Sequence, residues 1–292
     1  MGIARGFTRL LLDELKIDPP GHSVLQLGRQ GIFLTGSELK GVMQDHGFDT
    51  TAVKENDSRM NDIEFFSSLG FQNIESCDYS DFQSATHIFD LNLPAPEHLK
   101  EKYDLIIDGG TMEHVFDIPQ VLKNIHHMLK PEGRIIHLAP SSNYVDHGFY
   151  MFSPTLFFDY YHSNNWSGLR GKIIQHTQGH HSDPWYIYEY EPGSIEHLSY
   201  GGFDNGKLTG FFFSATKNLD TVSDQIPQQG KYIKNHWKTK DSQMIHKENV
   251  EVQRIQVIKN LIYRFPLFYK TLSKISRLLP RKRKMPKLIG KY

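Results

Sequence analysis

Three aspartates stand where strand-like runs of this 292-residue chain give out: Asp78 after NIESC, Asp90 after THIF, and Asp108 after YDLII, the last followed at once by Gly109 and Gly110. A carboxylate in such a place can accept hydrogen bonds from a diol or an amino edge, and a neighbouring glycine lets backbone approach a ligand closely. Gly28 follows the run HSVLQL in the same way. Asp108 has a second reading, as a cap on the helix that follows, with Thr111 and His114 in the cap. Two histidines suit acid–base work, because an imidazole with a pKa near 6.5 can take a proton from a hydroxyl at neutral pH. His147 opens the segment HGFY, and His114 follows Glu113. Each is read either as the base or as a residue that shapes its loop. His176, His180, His181 and Asp183 lie in HTQGHHSDPW, an irregular stretch that lacks the helical i, i+4 spacing of a zinc pair, so no metal is expected.

The elements that must position these residues alternate between strand and helix. A helix over Ile3 to Ile17 carries Phe7, Leu10, Leu11 and Leu15 on one side and ends at Pro19-Pro20. Strands are predicted over His22 to Leu27, Asn73 to Cys77, Thr86 to Phe89, Tyr103 to Ile107 and Arg134 to Leu138. Two helices fill Ser37 to Leu69, and others are predicted over Pro94 to Lys102, Met112 to Leu129 and Ser153 to His162. Further strand-like runs are Lys172 to His176, Trp185 to Glu191 and Gly210 to Ala215. This order predicts an α/β fold with a doubly wound, mostly parallel sheet and helices on both faces. In such a sheet ligands bind beyond the carboxyl ends of the strands, where strand order reverses, and the three aspartates and Gly28 fall there.

The segment YDLIIDGGTMEHVFDIPQVLKNIHHMLKPEGRIIHLAP resembles the fourth-to-fifth-strand region of class I S-adenosylmethionine-dependent methyltransferases, with a strand-end acid, a Glu-His pair and a Leu-Lys-Pro-x-Gly turn. The likeness extends over roughly residues 22–217. The stretch DHGFYMFSPTLFFDYY is similar to a bacterial subgroup of methyltransferase-like proteins that share a Gly-Arg-Gln first loop and an HGFY-x-FSP segment. The resemblance implies a Rossmann-like fold and S-adenosylmethionine as cofactor. It further implies contacts from Gly28, from Asp78 to the ribose, from Asp90 and Leu91 to the adenine, and from Asp108 and Gly109 to the methionine portion or the reaction centre. His114, His147 and Asp108 are then the catalytic candidates. The first loop, QLGRQG, departs from the family: Gln26 stands where an acid is usual and Gln30 where a second glycine is usual.

A 38% apolar composition supports a folded core, and the apolar runs are too short to span a bilayer. The single cysteine, Cys77, leaves no internal disulfide, and the chain is expected to be cytoplasmic. Residues 231–292 hold 17 Lys and Arg against 3 Asp and Glu, whereas the first 230 hold 16 and 30. The expected organisation is a packing helix at 1–20, a methyltransferase-like domain at 21–218, and a basic linker with an amphipathic helical tail at 219–292. The tail fits three partners: an anionic membrane face, the chain's own acidic domain, or nucleic acid, which no recognisable module supports. Dense aromatics between Tyr150 and Trp166 would suit a sugar-binding pocket, although helical spacing makes Phe157, Phe158 and Tyr161 core residues. The leading reading is methyl transfer to oxygen of a small or glycan-type acceptor. An inactive binding or assembly module, favoured by the altered first loop, and an RNA methyltransferase are the alternatives.

Overall fold

The computed structural model describes residues 2–17, 19, 21–177, 179, 184–198, 203, 206–233 and 285–292. Its chain order is α1 (Arg5–Ile17), β1 (Ser23–Leu27), α2 (Gly36–Asp45), α3 (Asp62–Ser68), β2 (Asn73–Asp78), β3 (His87–Ile88), β4 (Tyr103–Asp108), α4 (Ile118–Met128), β5 (Leu129–Ser142), α5 (Pro154–Ser163), β6 (Ser167–His176), β7 (Tyr186–Tyr190), β8 (Leu208–Thr216) and β9 (Leu288–Lys291). One sheet holds all nine strands, in the order β3-β2-β1-β4-β5-β8-β6-β7-β9. Pairing is parallel from β3 to β5 and antiparallel from β5 to β9. Strand order reverses between β1 and β4, because the chain leaves β1 toward β2 on one side and returns to β4 on the other.

Alternation along the central strands divides the core between the two faces of the sheet. Leu25, Leu27 and Ile106 pack with α4 and α5 residues such as Val121, Ile125, Phe157 and Tyr161. Val24, Leu105 and Ile107 pack on the other face with Phe7, Leu11, Val42 and Phe66 from α1, α2 and α3. Continuous burial of β1 follows from this, since both of its faces are covered. The two helices between β1 and β2 each start with a reciprocal capping box, Thr35 with Glu38 and Asn61 with Glu64. Those boxes explain why the long connection folds as two short helices.

Three elements differ from expectation. The helix predicted over Pro94 to Lys102 is reduced to a single 3-10 turn, Glu97–Leu99, and the Asn124 side chain instead holds the backbone of Leu91, Leu93 and Ala95. The helix predicted from Met112 starts as a separate 3-10 turn, Met112–His114, and begins again at Ile118 with Asp117 as N-cap and Pro119 in its first turn. The C-terminal segment, expected to be a tail from 219 onward, sends its last residues back as β9 on the edge of β7. The amphipathic stripe expected in that segment lies outside the described residues. Among the described residues, no helix is long and apolar enough to cross a membrane.

Candidate active site

Register places the expected ligand-side residues on one edge of the sheet. Leu27 pairs with Cys77 on one side and Asp108 on the other, so Gly28, Asp78 and Asp108 share the carboxyl ends of three adjacent strands. Asp90 follows β3, and the Phe89 amide donates to the Asp78 carbonyl at 2.9 Å. Gly28 has a φ of +66°, and a Cβ on it would lie 2.6 Å from the Thr111 hydroxyl. That hydroxyl donates to the Leu27 carbonyl at 2.5 Å. Glycine is required there by both conformation and space.

The first loop is held by its own side chains. Gln26 donates to Asp62 at 3.0 Å, and the Arg29 guanidinium grips the same carboxylate at 2.9 and 3.1 Å. The buried Gln30 donates Nε2 to the Leu27 and Gly28 carbonyls, and its Oε1 would lie 2.5 Å from a Cβ on Gly109. Gln30 therefore occupies space that a second glycine would leave open. Its Oε1 is buried with no hydrogen-bond partner.

The Asp108 carboxylate is taken up by groups of the protein itself. It is fully buried; Oδ1 accepts the Thr111 and Met112 amides at 3.0 and 3.1 Å, and Oδ2 faces His137 Nδ1 at 2.8 Å. A carboxylate only accepts, so Nδ1 carries the proton and Nε2 accepts from the Tyr161 hydroxyl at 2.7 Å. The hydrogen bonds match the capping reading of Asp108, which braces the turn after β4 and orients His137. His137 was missed in the sequence, although a histidine inside the apolar run RIIHL needs a buried partner. The aromatic cluster also moves inward: Phe152, Phe157, Tyr160, Tyr161 and Trp166 are all buried in the core.

Glu113, His114 and His147 converge beside these strand ends. The Phe149 amide donates to the Glu113 carbonyl at 2.9 Å, and Gly148 sits so near that a Cβ would lie 2.9 Å from that same oxygen. The HGFY loop is thereby fastened to the turn that follows β4. The His114 and His147 rings lie 5.0 Å apart, centroid to centroid. Glu113 is 0% exposed and neither carboxylate oxygen has a hydrogen-bond partner. Burial, reinforced by the charge of Asp108, pushes its carboxyl up to about 8. His114 is lowered by burial and by His147, and His147 by burial, which favours neutral imidazoles. Around the pair Phe116, Val145, Phe149 and Met151 stay exposed. His176 is engaged elsewhere, with the Tyr144 hydroxyl at 2.8 Å and stacked on Trp185. His180, His181 and Asp183 lie outside the described residues.

Residues 73–135 match a family described as a methyltransferase domain. No curated protein matches the sequence. Among solved structures, the chain is similar to an S-adenosylmethionine-dependent methyltransferase from Archaeoglobus fulgidus, at 11% identity and a TM-score of 0.40, covering 73% of this chain and 95% of that one. It is also similar to a Thermotoga maritima protein described as a possible histamine N-methyltransferase, at 12% identity and a TM-score of 0.38, covering 73% and 91%. TehB from Haemophilus influenzae follows at 15% identity and a TM-score of 0.37, covering 71% and 61%. The matched family segment runs from β2 into β5 and includes Asp78, Asp90, Asp108 and Glu113. Residues 73–135 are thus the part of the chain that a methyltransferase-domain family covers, set in an open α/β sheet of Rossmann-like order, and the cofactor that the resemblance implies is S-adenosylmethionine.

The residues present fit the polar groups of that cofactor. Asp78 uses Oδ1 for the Tyr79 and Ser80 amides, and Asp90 uses Oδ1 for the amide and side chain of Asn92. Among the described residues, no partner occupies the second oxygen of either. The orphaned Gln30 Oε1 adds an acceptor near Gly109, which suits an ammonium group.

Proposed function

We propose that the protein methylates a hydroxyl of a small or glycan-type acceptor held over the carboxyl ends of β1, β4 and β5. The convergence of His114 and His147 beside Glu113 and the exposed aromatic rim is the observation that supports it most directly. In this reading Asp78 accepts from the ribose hydroxyls. Asp90 and Leu91 border the adenine, and Gln30 receives the ammonium in place of the implied Asp108. Bound S-adenosylmethionine supplies an electrophilic methyl group with its leaving group already cationic, so the protein's work is alignment and removal of one proton. Phe116, Phe149 and Tyr150 form the rim against which an acceptor ring would lie, and the Tyr150 hydroxyl is tied to the Phe116 carbonyl at 2.9 Å. His114 and His147 are the groups that activate the hydroxyl.

The basic C-terminal segment is assigned to a peripheral role at an anionic inner membrane face, where each Lys or Arg would contribute about 1 kcal/mol. Its charge excess is the support for this part of the reading. Titration calorimetry of the purified protein with S-adenosylmethionine tests the whole proposal. Saturable binding, with methyl transfer to hydroxyl-bearing sugars or phenols lost in His147→Ala, is expected. An absence of binding at millimolar cofactor would leave the assembly-module alternative in its place.

A further inference from the structure

We propose that Glu113, His114 and His147 form a binding site for a divalent first-row transition-metal ion. One donor atom from each of the three lies within 4.8 Å of the others. Glu113 Oε1 is 3.6 Å from His147 Nε2 and 4.0 Å from His114 Nε2. These separations are too long for hydrogen bonds. They are close to the roughly 3 to 3.5 Å between neighbouring donors around a cation with bonds of about 2.1 Å.

Two further observations point to a ligand at that position. Both Glu113 oxygens are buried without a hydrogen bond, and His147 Nε2 is buried without one as well. A carboxylate left alone in such a place is costly, and a cation between it and two imidazoles removes the cost. Asp108, whose charge acts on Glu113, adds a second negative charge behind the site. The backbone already holds the geometry, since the Phe149 amide ties the His147 loop to Glu113. Two imidazoles and one carboxylate suit Zn, Fe(II), Co(II) or Mn(II). The His114 and His147 side chains remain 45% and 32% exposed, so the rings border solvent although His147 Nε2 itself is buried.

The role of the ion rests on the methyl-transfer reading, although its binding does not. An acceptor hydroxyl that coordinates the ion loses its proton to water more readily. The alkoxide oxygen then forms a bond to the methyl carbon while the sulfur–methyl bond breaks and its electron pair stays on sulfur, giving S-adenosylhomocysteine. The two histidines act as ligands in this step and activate the hydroxyl through the ion.

The test uses untagged full-length protein stripped with chelator and titrated with Co(II), followed by visible absorption, and with Mn(II), followed by electron paramagnetic resonance. One saturating site is expected, weakened by at least about tenfold in both Glu113→Gln and His147→Ala. Glutamine keeps the shape of the buried carboxyl and alanine replaces a part-exposed ring, so both variants are expected to fold, as a thermal melt would verify. Saturation lacking at about millimolar Co(II), Mn(II) or Zn(II), or equal affinity in the variants, overturns the site. Parallel titration with S-adenosylmethionine separates the failures: metal bound without cofactor sinks the methyl-transfer reading alone, and cofactor bound without metal sinks the ion site alone.

Discussion

Asp78 and Asp108 are the same residue type at corresponding ends of nearby strands, yet their surroundings give them different work. Asp78 is part exposed and keeps an oxygen clear of the backbone amides that hold the other. Asp78→Ala should therefore weaken nucleoside binding by about 1 to 3 kcal/mol while leaving the unfolding midpoint nearly unchanged. Calorimetry with S-adenosylhomocysteine reads this directly, and an unaltered affinity removes the ribose assignment. Asp108 meets no solvent and supports His137 and, through it, Tyr161. His137→Ala leaves the buried Asp108 without its partner and should lower unfolding stability by about 3 kcal/mol in a urea titration. If stability holds and only turnover falls, the bracing role given to Asp108 is wrong.

At the scale of elements, Glu75 on β2 links three strands, for it receives His87 of β3 at 2.6 Å and Lys102 and Tyr103 at the start of β4 at 2.7 and 2.6 Å. Burial opposes its charge, but these hydrogen bonds outweigh burial and hold the carboxyl down at about 2. A folded pKa below the unfolded value stabilises the protein above about pH 4.5 and loses that contribution as pH falls toward 2. Glu75→Gln should therefore flatten the decline in melting temperature between pH 5 and pH 2, and equal slopes would remove the link. The strands themselves were legible because YDLII and RIIHL are apolar on both faces, and Asp78, Asp90 and Asp108 were legible as strand ends. The HGFY loop was legible as a neighbour of the site. What sequence could not give was which oxygen is already occupied, or that Asn124 would replace a helix over Pro94 to Lys102 with an extended, side-chain-held segment. The Gln30 substitution was visible, but its position against Gly109 depends on contacts across separate loops.

Across the whole molecule, the far end of the chain completes the sheet. The Trp185 amide donates to the Tyr292 carbonyl at 2.8 Å, the Tyr292 amide returns a bond to Trp185 at 2.9 Å, and the Tyr292 hydroxyl donates to Asp13 of α1 at 3.0 Å. Arg9 stands over the Tyr292 ring, 5.8 Å from its centroid. A short final strand thus covers β7, whose open edge would otherwise offer unpaired backbone to other chains. LIGK has too few residues to announce a strand alone, and it follows the basic run RKRKMPK, so sequence patterning hid it. The consequence separates two deletions that charge alone would treat as equivalent. Removing Lys287 to Tyr292 strips backbone bonds worth about 1 kcal/mol each, and it should lower stability by on the order of 3 kcal/mol and promote aggregation. Replacing residues 234–284 with a flexible linker keeps β9 and Tyr292 while removing most of the positive charge. That variant should melt near the full-length protein, bind S-adenosylmethionine equally well and no longer sediment with anionic vesicles. A truncated protein that melts at the full-length temperature would show that β9 contributes nothing. A linker variant that still sediments would place the membrane contact on the folded domain.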